Sequence, residues 1–348
     1  MIYLIILAIL IGISLVSLFV CSLVAHYSYF MRRYEGNPNL KYFTEKDFDG
    51  LQADPIQFPS DKGQILRGYI YSSREVTKPL GLIVFVHGFG AGHQAYTTEI
   101  NTLAKSGYTV VAYDGTGCVN SGGKYFYGFD QAPVDLHFAL QYLERDPRFQ
   151  AFDRCVVVGH SWGGFTAMNS VREDKVAGIV SMCGFISGAG VMAQRAFGQN
   201  RKGAARAGWQ ILLPFLRLLN FLTLGRYANR DSVRTLKNTE KPVLLLYGER
   251  DKTVYYPDNG ARLSKELENR ENIRFYRYEN KGHSVYLTTE AENEMNKTFS
   301  EIKKVAKMNA QQAKKMYSEI DYPKITEEDG EVMNRIIEFC GEILDPKN

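Results

Sequence analysis

The chain has 348 residues, 45% of them hydrophobic and 23% charged, which is ordinary for a globular protein and too apolar for a disordered one. Its net charge of +4 is small and spread along the sequence, so nothing indicates a nucleic-acid-binding protein. The five cysteines have no C-x-x-C or metal-ligand spacing, so we expect free thiols and no metal site.

The N-terminal segment is unusually apolar. Residues 2–25 contain no charged side chain, and a helix of that length can cross a hydrocarbon core of about 30 Å. A cleaved signal peptide and a buried core helix are the alternatives. A signal peptide should begin with basic residues and end at a small-x-small site, and this segment has neither feature. We therefore predict a transmembrane anchor over residues 1–30.

The flanks of this segment predict its orientation. Four basic residues follow it and none precedes it: Arg32, Arg33, Lys41 and Lys46. The positive-inside rule then places the rest of the chain in the cytoplasm, which makes the protein a single-pass membrane protein.

After a polar connector over residues 31–59, strand and helix patterns alternate. Residues 66–71 alternate in polarity like an edge strand. Continuous apolar runs are typical of buried parallel strands, and they occur at 82–86, 108–113, 155–158, 176–180 and 242–247. Helical stretches are expected at 94–106 and 131–145. This alternation predicts one α/β domain over residues 60–348, with a mostly parallel sheet and helices on both faces.

Residues 184–240 differ in character from their surroundings. They contain nine basic residues against two acidic ones and an apolar run at 209–222. An insertion here lies above the carboxyl ends of the strands, where ligands bind to α/β sheets. We predict a helical cap insertion. It is either a plain cover packed on the core, or an apolar lid over an acyl pocket whose basic face meets anionic headgroups.

The sequence Gly159-His160-Ser161-Trp162-Gly163 follows the strand at 155–158 and precedes a helix-compatible stretch. G-x-S-x-G between a strand and a helix predicts a nucleophile elbow, in which the serine hydroxyl stands above the sheet. The N–H groups at the start of the helix would then face a developing oxyanion. A structural turn in a glycine-rich chain is the alternative interpretation.

Five motifs occur in the order and at the distances of a known family. They are His87-Gly88-Phe89-Gly90, Tyr113-Asp114 with Gly117 and Ser121-Gly122, the elbow, Leu245 to Asp251, and Gly282-His283. On these motifs, residues 60–287 and the final helix resemble the α/β-hydrolase fold, in particular its monoglyceride-lipase-like and serine-aminopeptidase-like serine hydrolases.

The resemblance implies a catalytic triad of Ser161 as nucleophile, His283 as general base and Asp251 as the acid that orients the histidine. It also implies that the backbone N–H groups of Phe89 and Trp162 form the oxyanion hole. The order Ser, Asp, His agrees with this fold, and Asp251 and His283 both follow predicted strands at the edge where Ser161 lies. No cofactor is needed for this chemistry.

Other residues could in principle compete for these roles. We expect His26, His93 and His137 to be anchor, loop or helix-surface residues, and His87 to be a structural hydrogen-bonding group. His160 should point away from the serine. Asp114 also ends a strand, although organising its loop is the favoured role.

Two features depart from the family pattern. Thr116 and Val119 stand where relatives often have arginine and glycine, which leaves the ion pairing of that loop in question. We expect residues 289–325 to be an insertion before the terminal helix at 331–343, with one charged helical stretch at about 289–318. This insertion is a solvated helix, an arm over the core or a partner surface.

The sequence therefore predicts a membrane-anchored serine hydrolase that cleaves a carboxylic ester, with a lipid or other acyl ester favoured. A peptidase or amidase would use the same triad, and a non-catalytic hydrolase-like membrane scaffold is the third alternative. The membrane is contacted through residues 2–25. Neither the exact substrate nor any protein partner follows from the sequence.

Overall fold

The strands of the computed structural model, which describes residues 1–198 and 203–344, form one sheet. They are β1 (Leu51–Pro59), β2 (Ile65–Ser73), β3 (Gly81–Val86), β4 (Tyr108–Tyr113), β5 (Cys155–His160), β6 (Val176–Met182), β7 (Val243–Gly248) and β8 (Ile273–Tyr278). The order across the sheet is β1-β2-β4-β3-β5-β6-β7-β8. β2 runs antiparallel to β1 and β4, and the other neighbouring pairs are parallel. The mostly parallel sheet is therefore confirmed.

Helices connect the strands and extend beyond them at both ends of the chain. They are α1 (Ile2–Phe30), α2 (Thr97–Lys105), α3 (Gln131–Arg145), α4 (Trp162–Met168), α5 (Gly188–Phe197), α6 (Gly203–Leu224), α7 (Ser232–Lys237), α8 (Gly260–Glu266), α9 (Thr289–Ala306), α10 (Ala310–Ser318), α11 (Tyr322–Ile325) and α12 (Gly330–Leu344).

Both faces of the sheet are covered, because side chains alternate between the faces along each strand. In β3, Leu82 and Val84 join one buried cluster, to which α3 and α8 contribute. Ile83 and Phe85 join a second cluster, to which α2 and α12 contribute. The predicted helices on both faces are thus confirmed. The carboxyl ends of the parallel strands lie together at one end of the sheet.

One prediction is wrong in the N-terminal part of this sheet. Residues 51–59, which we assigned to the connector, form β1, and β1 pairs with β2 along its whole length. β1 is therefore the edge strand, and the strand predicted at 66–71 lies one position further in. The prolines at 55 and 59 obscured the pattern, but an edge strand tolerates proline because one of its sides makes no ladder hydrogen bonds.

α5, α6 and α7 lie between β6 and β7, where the sequence predicts the cap. Residues 199–202 of that prediction lie outside the described residues, as do 345–348 at the end of the predicted domain. The Asp130 carboxylate fastens the end of α6 and the following loop to the sheet domain. It accepts hydrogen bonds from Asn220 Nδ2 at 2.6 Å and from the N–H groups of Asn229 and Arg230, both at 3.1 Å.

α1 is long and apolar enough to cross a membrane, with a mean hydropathy of 3.1 over 18 residues, none of which is buried. A signal sequence passes the same test of length and composition. The end of α1 nevertheless packs on the protein. His26 Nε2 lies 3.0 Å from Thr223 Oγ1 of α6, and Phe30 is buried.

The segment predicted as one charged helix at about 289–318 is divided into α9 and α10. The Asn309 side chain accepts a hydrogen bond from Gln312 N at 3.0 Å, and this cap starts α10 as a separate helix. Ala291, Glu292 and Ile302 of α9 are buried, so this helix is packed on the domain along one side.

Asp130 makes the stability of the fold depend on pH. Burial raises the pKa of Asp130 from its usual 3.8 to about 6, although the hydrogen bonds from Asn220 and two N–H groups favour the charged form. Because the folded chain holds this proton more tightly than the unfolded chain, the contribution of Asp130 to the free energy of unfolding falls as the pH rises through this interval.

We therefore expect the stability difference between wild type and Asp130→Asn to change by up to roughly 3 kcal/mol between about pH 4 and about pH 7, in favour of the variant at the higher pH. Urea unfolding of the detergent-solubilised chains, followed by tryptophan fluorescence, measures this difference. A difference that stays constant across the range contradicts the assignment.

Candidate active site

Ser161 lies at the sharp turn between β5 and α4. Its backbone has φ 57° and ψ −111°, a strained conformation for a residue with a side chain. The turn requires the flanking glycines. A Cβ on Gly163 would lie 1.9 Å from the carbonyl oxygen of Val86, and one on Gly159 would lie 2.3 Å from that of Gly163. α4 therefore packs directly on the backbone of β3, and the hydroxyl is lifted to the strand ends.

Asp251 and His283 form a hydrogen-bonded pair. His283 Nδ1 lies 2.7 Å from Asp251 Oδ2, while Asp251 Oδ1 accepts the N–H groups of Thr253 at 2.7 Å and Val254 at 2.8 Å. An ionised carboxylate only accepts, so Nδ1 carries the proton and Nε2 keeps a free lone pair. The Asp251 side chain is fully buried, whereas that of His283 is 19% exposed. Asp251 thus orients the His283 ring through Nδ1, while the rest of the side chain stays partly accessible.

Ser161 and His283 line the same cavity, which has a volume of about 170 Å³. Most of its walls are apolar or aromatic, and one cation, Arg195 of α5, also borders it. The apolar and aromatic lining residues are Phe89, Tyr96, Phe129, Phe185, Val191 and Val254. No hydrogen bond joins the Ser161 hydroxyl to His283 in the part of the chain that the structure describes, and such contacts often shorten only when a substrate binds.

The two predicted oxyanion donors remain available. Within the described residues, the N–H groups of Phe89 and Trp162 donate no hydrogen bond, whereas the neighbouring Gly88 N–H donates to the Tyr96 hydroxyl at 3.0 Å. Phe89 borders the cavity, and Trp162 is the first residue of α4. An N–H at the first position of a helix has no partner within the helix, so it is free to bind an anion.

A short relay through His160 connects two loops. One is the loop of residues 87–93, which carries the predicted donor Phe89 and is called the oxyanion loop below, and the other is the loop after β8 that carries His283, called the histidine loop. His160 Nε2 donates to the His283 carbonyl at 2.8 Å, so in the neutral ring Nδ1 accepts from the Tyr96 hydroxyl at 2.9 Å, and this hydroxyl accepts from Gly88 N at 3.0 Å. Burial lowers the pKa of His160 well below its usual range. Both ring nitrogens of this neutral histidine are therefore engaged in hydrogen bonds to other groups.

His93 and Asp114 have structural roles that the sequence indicated only in part. Asp114 Oδ1 accepts from His93 N at 2.9 Å and Nδ1 at 2.7 Å, and Asp114 Oδ2 accepts from Asn120 N at 3.1 Å. Burial alone would raise the pKa of Asp114, but its bond to His93 lowers it. This pair borders a separate hollow of about 650 Å³, so Asp114 organises loops away from Ser161. His93, which we expected to be a loop residue, is buried and begins a short 3₁₀ helix.

His87 is a hydrogen-bonding group of the backbone. Its Nδ1 donates to the Gly88 carbonyl at 2.8 Å, and its Nε2 accepts from Gly115 N at 3.0 Å. Burial lowers the pKa of His87, which keeps the ring neutral and able to accept. Thr116, at the position of the family's arginine, instead bonds the buried Asp135 through its N–H and its hydroxyl, both at 2.7 Å.

Glu292 is a site residue that the sequence did not reveal. Its buried carboxylate accepts the N–H groups of Gly282 and Ser284, both at 2.8 Å, on either side of His283. The first turn of α9 thus holds the histidine loop. A carboxylate in a charged helix carries no local signal for this role, because the contact depends on how α9 packs.

Cys183 lies beside the histidine pair, and its thiol, Asp251 and His283 offer three potential metal-ligand atoms within 4.8 Å of one another. A metal would need the thiolate, but burial raises the pKa of the Cys183 thiol well above its usual range. Asp251 and His283 are also bonded to each other. These groups are therefore better suited to orienting a histidine than to holding a cation.

Comparison with known proteins identifies the class. Residues 83–294 match the model of the alpha/beta hydrolase family. The match covers more than half of the chain, so the protein belongs to this family of α/β hydrolases. No curated protein sequence matches the chain.

Several solved structures share the fold. An esterase of Pyrococcus furiosus superposes with a TM-score of 0.59 at 16% identity, over 90% of this chain and 99% of its own. An acylaminoacyl peptidase of Pyrococcus horikoshii superposes with a TM-score of 0.54 at 14% identity, over 86% of this chain and 43% of the peptidase. Est1E of Butyrivibrio proteoclasticus, solved with ferulic acid, superposes with a TM-score of 0.51 at 18% identity, over 70% of this chain and 97% of its own. At such identities the likeness concerns the fold alone.

The contacts of Glu292 predict a loss of turnover in Glu292→Gln. A glutamine can accept only through one oxygen, and its amide group would face an N–H donor that the carboxylate now satisfies. We expect kcat of hydrolysis to fall roughly tenfold, because small displacements of a catalytic group are costly. The matched control is Glu290→Gln on the exposed face of the same turn. Equal kcat values in the two variants would show that the contact has no positioning role.

Proposed function

We propose that this α/β hydrolase is a membrane-anchored serine hydrolase that cleaves carboxylic esters, with Ser161, His283 and Asp251 as its catalytic triad. The observation that carries the proposal is the shared cavity. Ser161, whose backbone is strained, and His283 both line this cavity. The buried Asp251 carboxylate orients the His283 ring. This is the arrangement of groups that activates a weak serine nucleophile.

The chemistry proceeds in two halves. His283 Nε2 accepts the proton of Ser161 as the hydroxyl oxygen attacks the ester carbonyl, and Asp251 stabilises the resulting imidazolium. The N–H groups of Phe89 and Trp162 stabilise the oxyanion of the tetrahedral intermediate. His283 then gives the proton to the departing alcohol, which leaves an acyl group on Ser161. A water activated by His283 hydrolyses this acyl-enzyme and restores the serine.

The walls of the cavity support an acyl group as the part of the substrate that is bound. Phe129, Phe185, Val191 and Val254 surround the serine with apolar surface, which favours an acyl chain over a polar or charged one. The adjoining α6 also exposes Ile211, Leu218, Phe221 and Leu222. A lipid or other acyl ester is therefore the favoured substrate class.

The membrane anchor is supported by how α1 ends. A signal peptide is removed from the mature protein, yet His26 and Phe30 at the end of this helix pack on α6 and on the aromatic cluster near the cavity. Within the apolar segment, the Phe19 ring also lies 6.1 Å from the Phe215 ring of α6 and Ser22 is buried, and cleavage after residue 25 would remove these contacts. We therefore propose that α1 is retained as a single membrane span.

Hydrolysis of p-nitrophenyl esters of increasing acyl length tests the triad and the substrate class together. We expect the detergent-solubilised full chain to hydrolyse medium and long esters faster than acetate. Ser161→Ala should lower kcat by roughly 10⁴-fold or more, and Asp251→Asn by roughly 10³-fold to 10⁴-fold. Ser318→Ala, at an exposed serine, is the control.

Activity that survives in Ser161→Ala refutes the mechanism. Serine-dependent turnover limited to acetyl and butyryl esters refutes the preference for long acyl groups. Serine-dependent turnover of amides in place of esters would identify a peptidase or amidase.

Fusions at the C-terminus test the orientation. The basic residues after α1 predict a cytoplasmic catalytic domain, so a green fluorescent protein fusion should fluoresce and an alkaline phosphatase fusion should be inactive. Both fusions should remain with the membrane after carbonate extraction. Active alkaline phosphatase would place the domain on the other side, and release of the fusion by carbonate would contradict the anchor.

A further inference from the structure

The end of α1 and the residues after it are joined to the hydrolase domain through its backbone. The carbonyl groups of Phe30 and Arg32 accept the N–H groups of Tyr127 at 3.1 Å and Phe126 at 3.0 Å. Tyr34 both donates to Gly117 O at 2.9 Å and accepts from Val119 N at 2.8 Å. The juxtamembrane segment, residues 29–34, is therefore docked along the loop that follows β4, next to the active site.

Two tyrosines of this segment pack on Phe89, the residue whose N–H we assign to the oxyanion hole. The Tyr29 ring is stacked on the Phe89 ring with centroids 5.4 Å apart, and the Tyr34 ring meets it edge-on at 4.4 Å. The Tyr34 hydroxyl donates to the Tyr29 carbonyl at 2.7 Å, which holds the two tyrosines together. Phe89 is followed by Gly90 at φ 79°, so its own backbone does little to fix its position.

Arg33 reaches the same loops from the other side. Its guanidinium donates to three backbone carbonyls, those of Val119 at 2.9 Å, Ser121 at 3.0 Å and Gly123 at 2.8 Å. A planar fork of donors can satisfy several fixed acceptors at once, which a lysine cannot do. This loop has Thr116 at the position where relatives often have arginine. The guanidinium that binds the loop's carbonyls is instead that of Arg33, which precedes the hydrolase domain.

The loop held by Arg33 is connected to the oxyanion loop through Asp114. Asn120, within the loop, donates its N–H to Asp114 Oδ2, and Asp114 Oδ1 accepts from both the N–H and the ring of His93 at the end of the oxyanion loop. Arg33 thus acts on the position of the oxyanion loop through one buried carboxylate. Tyr29 and Tyr34 act on it by direct packing.

We propose that the juxtamembrane segment is a positioning element of the active site, so that full turnover depends on the docked end of the membrane helix. Tyr29, Arg33 and Tyr34 are positioning residues that hold the Phe89 N–H where the oxyanion forms. This inference rests on the proposed esterase function and extends it. The same continuous helix that would span the bilayer ends on the oxyanion loop. Tyr29 also lies under the guanidinium of Arg195, at 5.7 Å, at the wall of the cavity.

The inference is tested by Tyr29→Ala and Arg33→Gln in the full chain in detergent micelles. The matched control is Tyr27→Ala, two residues before Tyr29 on the same helix, where the side chain is 61% exposed. We measure kcat and KM for a p-nitrophenyl ester, the Ki of a trifluoromethyl ketone whose adduct carries an oxyanion, and the unfolding temperature.

We expect kcat to fall roughly 10-fold to 100-fold in both variants, because loss of one oxyanion donor costs about 10²-fold to 10³-fold and a displaced donor costs less. The Ki of the ketone should rise by the same factor, while KM changes less than about threefold. A loss of stability alone would not raise Ki and lower kcat in proportion. Arg33→Lys keeps the charge and part of the contact, so it should recover part of the turnover.

Three results overturn the inference. The first is a kcat within twofold of the Tyr27→Ala control, and the second is an unchanged Ki for the ketone. The third is a loss of kcat that matches the loss of folded protein measured by the unfolding transition. If the wild type itself shows no turnover that depends on Ser161, the proposed function fails, and this inference fails with it. Serine-dependent turnover that both variants retain refutes the inference alone.

Discussion

The contact of α4 with the backbone of β3 is the constraint on which the site depends. Gly163 lies so close to the carbonyl of Val86 that no side chain fits between them. This contact lets the chain turn at Ser161 with a positive φ, and it places the start of α4 beside the end of β3. The proposed nucleophile and the two proposed oxyanion donors therefore occupy one small region, because the neighbouring strands β3 and β5 end there and α4 begins there.

The rest of the site is fastened to this point by buried polar groups. Asp251 orients His283, Glu292 holds the backbone on both sides of it, and His160 joins that loop to Tyr96 and the oxyanion loop. Each group accepts or donates more than one hydrogen bond, as buried polar groups must. The backbone around His283 is therefore held by several hydrogen bonds, and the His283 side chain borders the mostly apolar cavity.

The sequence predicted the parts whose signals are local. Apolar runs predict β3 to β7, and glycine spacing predicts the elbow. The remainder depends on long-range packing. β1 was missed because its two prolines and polar residues hide an edge strand. Glu292 lies in a charged helical stretch and His93 in an expected loop, so neither showed a local signal of its burial. We used Arg33 only as one of the basic residues that predict membrane orientation. Its guanidinium in fact donates to three carbonyls of a loop about 90 residues further along the chain.

The central claim is that Ser161 is the nucleophile of an acyl-transfer reaction. The most direct test is to treat the full-length wild type with a fluorophosphonate and locate the adduct by tandem mass spectrometry. We expect a single phosphonyl group on the Ser161 oxygen, formed much more slowly when His283 is replaced by alanine. An adduct on another residue, or no adduct on folded protein, would contradict it.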